Sequence, residues 1–384
     1  MKKHSPIIMT VILSLGLFFS CAQSDIFYQI ESEIKLKDPK IDGGPSRIVE
    51  CRGHIYVASG ALYEYYDAGT ADGSWGKHDN QPPGIKILEL AVTNNYLYVL
   101  TSKSSKLRDN SIYRYDPNRP SSDWEDMGNA TDYPDFQSIY GAGDTVFAGV
   151  ASGSSYSIAY AAENMNSFES LSSSSGIVSG AGFYGSRYFI SIADAGVFAS
   201  DSVDTLLSNP VAGTSDEGTF TAFLSYNDPL NNDTPTMVMV SMDGTFCKIT
   251  DDGTGLKIIT EYYGNMRFSG ALSFWTNPDG AAETSENFRL LLGRKGSDID
   301  YNSYGYWEMP LPAGDGYFYA LEEPNVTVEK NATYATSLGR HYVTSIYQVP
   351  QETYGDGSRD RPIFASTQQN ALWSCRQKVW NLED

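Results

Sequence analysis

Strand signals along the mature chain, little helical periodicity and one apolar strand recurring seven times predict an all-β fold, a seven-bladed β-propeller of four-stranded blades. Glycine (35 residues) and tyrosine (27), with abundant Ser and Asn, suit short twisted strands joined by turns. Helix content is expected to be minimal, because no stretch sustains apolar residues at i, i+3, i+4 and i+7.

The recurring strand reads Ile55-Tyr56-Val57-Ala58, Leu97-Tyr98-Val99-Leu100, Val146-Phe147-Ala148-Gly149, Tyr188-Phe189-Ile190-Ser191, Met237-Val238-Met239-Val240, Arg289-Leu290-Leu291-Leu292 and Pro362-Ile363-Phe364-Ala365. A strand apolar on both faces is buried on both, as the middle of a stacked blade must be. Its starts lie 42, 49, 42, 49, 52 and 73 residues apart, the period of a propeller blade.

A turn and a small–apolar–aromatic triplet follow most copies: Ala61-Leu62-Tyr63, Ser111-Ile112-Tyr113, Gly196-Val197-Phe198, Gly244-Thr245-Phe246, Gly305-Tyr306-Trp307 and Ala371-Leu372-Trp373, with Ser157 to Tyr160 as a shifted version. The aromatic is expected to wedge between sheets. A further β run precedes the apolar strand, as in Ser46 to Cys51, Ile87 to Thr93, Thr219 to Tyr226 and Phe268 to Trp275. A fourth element follows in several units, as in Trp124 to Met127 and Phe168 to Leu171.

Phe27 to Ile30 and Val379 to Leu382 both resemble an isolated fourth strand, and either could close the ring. Asn227 to Pro235 and Pro350 to Arg361 read as insertions, and Glu322 to Arg340 has no counterpart in the repeat. An eight-bladed or split fold would follow if residues 322 to 361 formed a sheet of their own. Loops that break a repeat often bind. The candidate partner-binding loop residues are Tyr301, Tyr304, Tyr306, Tyr354, Asp356 and Arg359. Tyr63, Tyr65, Tyr66, Tyr262 and Tyr263 also cluster near turns, where they either contact partners or pack between blades.

Residues 1 to 20 have the order of an export signal: Lys2 and Lys3, an apolar run from Pro6 to Phe19 too short to span a bilayer, then Ser20 before Cys21. Leu17-Phe18-Phe19-Ser20-Cys21 resembles a bacterial lipobox, and its relaxed pattern is similar to those of spirochaete lipoproteins. The resemblance implies acyl chains on Cys21 and a tether over residues 21 to 25, held at the cell envelope in the periplasm or at the surface, while the repeats place the propeller over 26 to 384. The competing reading is an ordinary signal peptide with an incidental cysteine.

Loss of Lys2 and Lys3 with the leader takes the net charge from −20 to −22, which repels nucleic acid and anionic lipid. Cys51, Cys247 and Cys375 allow at most one disulfide and equally suit buried apolar positions. His54, His78 and His341 stand without spaced partners, in different units, and no HExxH, GxSxG or P-loop pattern occurs. Asp298 to Asn302 opens like a Ca²⁺ loop, but Ser303 and Met309 break it. No cofactor beyond the covalent lipid is expected.

The expected function is a monomeric, non-enzymatic binding or scaffold propeller engaging a protein or glycan. The alternative is a glycan-acting hydrolase with carboxylates in the central pocket. Residues 157 to 168 are loosely similar to sialidase-type repeats, yet the nearest Asp-box piece, Ser241-Met242-Asp243-Gly244, is compressed. A third reading, an outer-membrane assembly scaffold, would expose a strand edge to a partner's peptide.

Overall fold

The computed structural model describes residues 41, 43–66, 73–103, 109–119, 122–128, 135–152, 154–174, 176–211, 214, 218–251, 255–263, 266–277, 287–295, 304–311, 321–324, 326–328, 338–349, 361–368, 371–376 and 378–383. Within them the chain forms seven antiparallel sheets, each from one contiguous stretch of sequence. Blade 1 holds β1 (Val49–Cys51), β2 (His54–Ser59), β3 (Ala61–Tyr66) and β4 (Ser74–Lys77). Blade 2 holds β5 (Lys86–Val92), β6 (Leu97–Ser102), β7 (Asn110–Tyr115) and β8 (Glu125–Asp126), and blade 3 holds β9 (Phe136–Ala142), β10 (Thr145–Ser152), β11 (Ser155–Ala162) and β12 (Glu169–Ser174).

Blade 4 has β13 (Val178–Tyr184), β14 (Arg187–Ile192) and β15 (Gly196–Ser200), while blade 5 has β16 (Phe220–Asp228), β17 (Thr234–Ser241), β18 (Thr245–Asp251) and β19 (Leu256–Tyr262). Blade 6 has β20 (Phe268–Thr276), β21 (Phe288–Arg294) and β22 (Tyr306–Pro310), and blade 7 has β23 (Val343–Gln348), β24 (Ile363–Thr367), β25 (Leu372–Arg376) and β26 (Val379–Leu382). In blades 4 and 6 the fourth position is marked by single bridges, Phe198 to Pro210 and Glu308 to Glu322.

The predicted apolar strands are the second strands of the blades. Val57, Val99, Phe147, Ile190, Met239, Leu291 and Phe364 have no exposed surface, since sheets pack on both of their faces. The triplets are the third strands, and their aromatics work as wedges: Phe246 of blade 5 and Trp307 of blade 6 share one buried cluster, and Tyr263 between these blades meets Phe246 and Phe268 edge-on, at 6.5 and 6.2 Å between ring centres.

First strands pack side by side around the ring, each touching the first strand of the next blade from β1 through β23. Each is bulged against its partner: the pairing skips Leu88, Gln137, Ser179, Thr221 and Thr344, and three residues of β20. In blade 1, Ser46 N reaches Ala58 O, one place off the register that pairs Val49 with Tyr56. A bulge bends the strand and frees a polar group from the ladder. Side chains at or next to the skipped positions join blades: Glu89 Oε2 accepts from Ile139 N (3.0 Å), Ser138 Oγ donates to Val178 O (3.1 Å), and Ser179 Oγ donates to Phe220 O (2.8 Å).

The ring closes between blades 7 and 1 by the same device. Ile48 N donates to Ser345 Oγ (3.0 Å), Ser366 Oγ donates to Ser46 O (2.8 Å), and Phe364 packs against Tyr65 and Trp75. Val379 to Leu382 is the outermost strand of blade 7, built on its own hairpin rather than exchanged with blade 1, and Phe27 to Ile30 lies outside the described residues. Two sequence expectations change here. Glu322 does have a repeat counterpart, the fourth-strand position of blade 6, and the described parts of 322 to 361 join blades 6 and 7 instead of forming a separate sheet.

Gly141 lies where β9 meets blade 2, and a Cβ there would fall 1.7 Å from Val92 O. Gly141→Ala is therefore expected to lower stability by about 1–3 kcal/mol through overpacking. Ser345→Ala, which strips the Ile48 amide of its acceptor, is expected to cost a similar amount, about 1–3 kcal/mol. Urea midpoints compared with a change at exposed Lys86 measure both.

Candidate functional site

Every first strand runs in the same sense, so the loops fall on two rims. The entry rim holds the connections into each first strand and the turns between second and third strands. The far rim holds the first-to-second and third-to-fourth connections. The insertion Asn227 to Pro235 joins a first strand to a second and so belongs to the far rim; Pro350 to Arg361 likewise stands between a first strand and a second in the chain. The described insertion extends the β16–β17 hairpin through a 3₁₀ turn over Pro229–Asn231, whose Leu230 N is capped by Asp228 Oδ1. The residues 350–360 of the other lie outside the described set.

Polar side chains stitch the far rim from blade 1 to blade 5. Arg52 donates to Asn95 Oδ1 (2.7 Å), and Asn95 donates through its backbone and side chain to Glu163 (2.7 and 2.6 Å). Tyr188 OH donates to Asp144 (2.6 Å), and Tyr184 OH to Pro235 O (2.8 Å).

Between blades 4 and 5, toward this rim, a cleft of about 370 Å³ is lined by Arg187, Ala199, Ser200, Asp201, Asn209, Pro210, Val211, Leu256 and Ile258. Its cause is the missing fourth strand of blade 4. Ala199 N bonds Asn209 O and Val211 N bonds Val197 O on either side of the Phe198–Pro210 bridge, and this single bridge is all that stands in the place of a fourth strand. The face of β19 that a full neighbouring sheet would cover stays open, leaving Leu256 and Ile258 half-buried. Arg187 is exposed, and its side chain makes no hydrogen bond or ion pair with another described residue, so its charge is available to a ligand.

The inner strands of blades 1 to 3 bring together Arg47, Glu89 and Tyr140. The Arg47 guanidinium lies 3.9 Å from Glu89 and 4.6 Å over the Tyr140 ring. Glu89 keeps about a third of its surface, yet three blades hem it in, and this burial raises its carboxyl above the ordinary range while Arg47 and the Ile139 amide oppose the rise. Burial, then the Glu89 charge, pushes the Tyr140 phenol up to about 12. Elsewhere two carboxylates converge on Arg289, Glu308 at 3.4 Å and Glu322 at 2.6 Å, but on the outer strands of blade 6 rather than at the channel.

His54 and His78, expected in separate units without partners, both belong to blade 1 and meet on Glu64. His54 Nδ1 is 2.6 Å from Glu64 Oε1, and His78 Nε2 is 3.5 Å from Oε2, while His78 Nδ1 bonds Asn80 O (2.7 Å). Glu64 and His78 are buried, under Tyr56 and Tyr115. The hairpin register carries the signal that the sequence reading missed, because Tyr56 pairs with Glu64 and puts His54 on the same face.

Of the candidate loop residues, Tyr304 is half-buried just before β22. Tyr306 is corrected: it is a core residue of β22 with no exposed surface, its hydroxyl bonded to Thr327 (2.5 Å) and accepting from the Trp380 indole (3.1 Å). Tyr301, Tyr354, Asp356, Arg359 and Cys21 lie outside the described residues. Tyr65 is buried and Tyr63 and Tyr263 are half-buried, whereas Tyr66 and Tyr262 are exposed. Cys51, Cys247 and Cys375 are buried thiols in three different blades, not joined in a disulfide, and burial pushes Cys51 up to about 12.

A family model described as the TP013X lipoprotein family matches residues 3–249. The chain belongs to that family. As a TP013X lipoprotein it is 36% identical over 90 residues to an uncharacterised lipoprotein of Treponema pallidum (strain Nichols), a match that spans 23% of this chain and 22% of the relative. The family match starts inside the predicted leader and runs into β18 of blade 5.

Solved structures similar in shape to this TP013X lipoprotein include Saccharomyces cerevisiae Sqt1, at TM-score 0.48 and 11% identity over 90% of this chain and 86% of that one. The WD40 β-propeller domain of Doa1 matches at TM-score 0.48 and 11% identity (89% and 95%), and a chain of the mitotic checkpoint complex at 0.49 and 13% (91% and 95%).

The Glu64 hydrogen bond raises the His54 pKa above its ordinary 6.5, against an opposing effect of partial burial, and the charges of Glu64 and Glu50 add to the rise. A folded-state pKa above the unfolded value stabilises the protein below about pH 6.5, and that contribution is lost as pH rises through the folded value. Histidine NMR titration is expected to show His54 titrating above 6.5, and Glu64→Gln to bring it back down.

Proposed function

We propose that this lipoprotein is a non-enzymatic binding scaffold, tethered to an envelope membrane by acyl chains on Cys21, whose far rim engages a protein partner. The cleft beside blade 4 carries the reading. It offers an apolar floor, a cation with no side-chain partner among the described residues and an uncovered sheet face, the features a partner's side chains need. The cleft opens toward the rim that bears the β16–β17 insertion, so the contacts of that loop and of the cleft fall on one side of the ring.

Polar groups elsewhere have internal duties. Arg47 and Glu89 brace the inner strands, Glu64 holds two histidines, and Lys248 and Asp228 form a buried pair at 3.3 Å within blade 5. Truncating one member of such a pair is costly because the other is left buried and unpaired. These groups serve the ring, and we assign them no substrate.

Wild-type protein is expected to partition into the detergent phase of Triton X-114 and to incorporate labelled palmitate, and Cys21→Ser to do neither. For the partner, the mature chain carrying Cys21→Ser serves as bait on envelope extract, with and without Arg187→Glu plus Ile258→Asp. A defined protein retained by the parent and reduced at least tenfold by the cleft variant supports the scaffold. Turnover of a glycan panel by the parent would instead make the chain an enzyme.

A further inference from the structure

We infer that the entry rim of the propeller rests on the bilayer surface, so that the far rim points away from the membrane. The inference rests on the lipid anchoring just proposed and adds an orientation to it. Eight large apolar side chains are exposed among the described residues, and they are unevenly placed. Tyr66 and Phe183 stand at strand ends on the far rim. The other six, Ile85, Leu88, Tyr156, Tyr262, Met266 and Leu382, lie on or next to the entry rim, in strand starts, strand ends and connectors of blades 2, 3 and 5 to 7.

The chain joins the propeller at this same rim. Ala371 N donates to Gly43 O (2.7 Å) and Leu372 N to Ile41 O (3.3 Å), which fixes the incoming segment to the turn before β25, and Ile41 is fully buried. Cys21 is about twenty residues upstream. Acyl chains hold that end at the bilayer, and a span of this length reaches at most about 70 Å when fully extended. Seating the far rim on the membrane would consume part of that reach in running past the blades. It would also leave six apolar side chains in water.

The chemistry of the rim fits the interface between headgroups and acyl chains. Ile85 is 68% exposed and Tyr262 64%, and tyrosine prefers this interface because its ring is apolar and its hydroxyl polar. The mature chain's negative charge disfavours anionic lipid, so the contact is apolar and suits a zwitterionic surface. The acyl chains keep the protein at the bilayer, and the rim sets how it sits there.

Two measurements test the orientation. The lipidated full-length mature chain is reconstituted on phosphatidylcholine vesicles, and hydrogen exchange is compared with that in detergent. Slower exchange over residues 84–88 and 263–267, with none over 183–186, is expected; protection of 183–186 instead, or of neither stretch, overturns the inference. Failure to incorporate at all would strike the anchor reading and not the rim.

In the second measurement, unlipidated Cys21→Ser chain is floated with the same vesicles. Ile85→Asp with Tyr262→Asp and Met266→Asp is expected to reduce flotation at least tenfold, and Tyr66→Asp with Phe183→Asp to leave it unchanged. All five positions are exposed, so folding should survive, which urea midpoints check. Equal loss from both sets, or loss from neither, overturns the inference.

Discussion

A ring of seven sheets depends on the joint between one first strand and the next. Each first strand must keep its ladder with the second strand while turning a polar group toward a neighbouring blade. A one-residue bulge satisfies both demands, because the skipped residue leaves the ladder and the strand bends at that point. The bonds of Glu89, Ser138, Ser179 and Ser345 to the following blade all lie at these bulges. Among the described residues the joint between blades 7 and 1 is built like the others, with the incoming segment at Ile41 and Gly43 bonded to blade 7 in addition. A propeller closed by exchanged strands concentrates its cohesion at one seam; this one distributes it around the ring.

Departures from the repeat decide where the ring offers something to a ligand. In blade 6 the bridge at Glu322 stands in for a fourth strand, and the space beside it is filled: Glu308 accepts from Thr327 N (3.2 Å) and Arg289, and the Arg294 guanidinium lies over Trp307 at 4.5 Å. In blade 4 a 3₁₀ helix over Val203–Ser208 and the edge at Pro210 take that position, and the neighbouring sheet face is left open. Blades 4 and 6 thus share one defect with opposite outcomes. A buried, hydrogen-bonded carboxylate seals one, while the other keeps a cleft edged by the exposed Arg187.

The middle of each blade was legible because sheets that bury both faces demand unbroken apolar runs, and Ile55 to Ala58 or Met237 to Val240 can be little else. Bulges were not legible, since slipping one residue leaves composition unchanged and appears only in the pairing. The His54–Glu64–His78 cluster was hidden for the same reason: spacing in sequence says nothing of two residues brought together across a hairpin until its register is known. Tyr306 shows the reverse error. Its place in the triplet Gly305-Tyr306-Trp307 already marked it as a third-strand residue, and nearness to a Tyr-rich turn outweighed that signal. The cleft at blade 4 left no signal of its own, because it depends on which face of β19 the shortened neighbouring sheet leaves uncovered.

On the function and orientation proposed above, the two rims divide the work of a tethered protein. An anchor fixes distance from the membrane and leaves rotation free, so a binding face that must meet a soluble partner competes with the surface for its own exposed apolar groups. Apolar side chains at the end where the tether enters, and charged, hydrogen-bonded networks with a cleft at the other, resolve that competition. The networks also keep the far rim rigid: Arg52, Asn95 and Glu163 tie three blades through short bonds, so a partner docking there meets a preformed surface and loses little to ordering it. The acidic charge acts in the same direction, holding the body of the propeller off anionic surfaces while the few apolar contacts at the entry rim set its attitude.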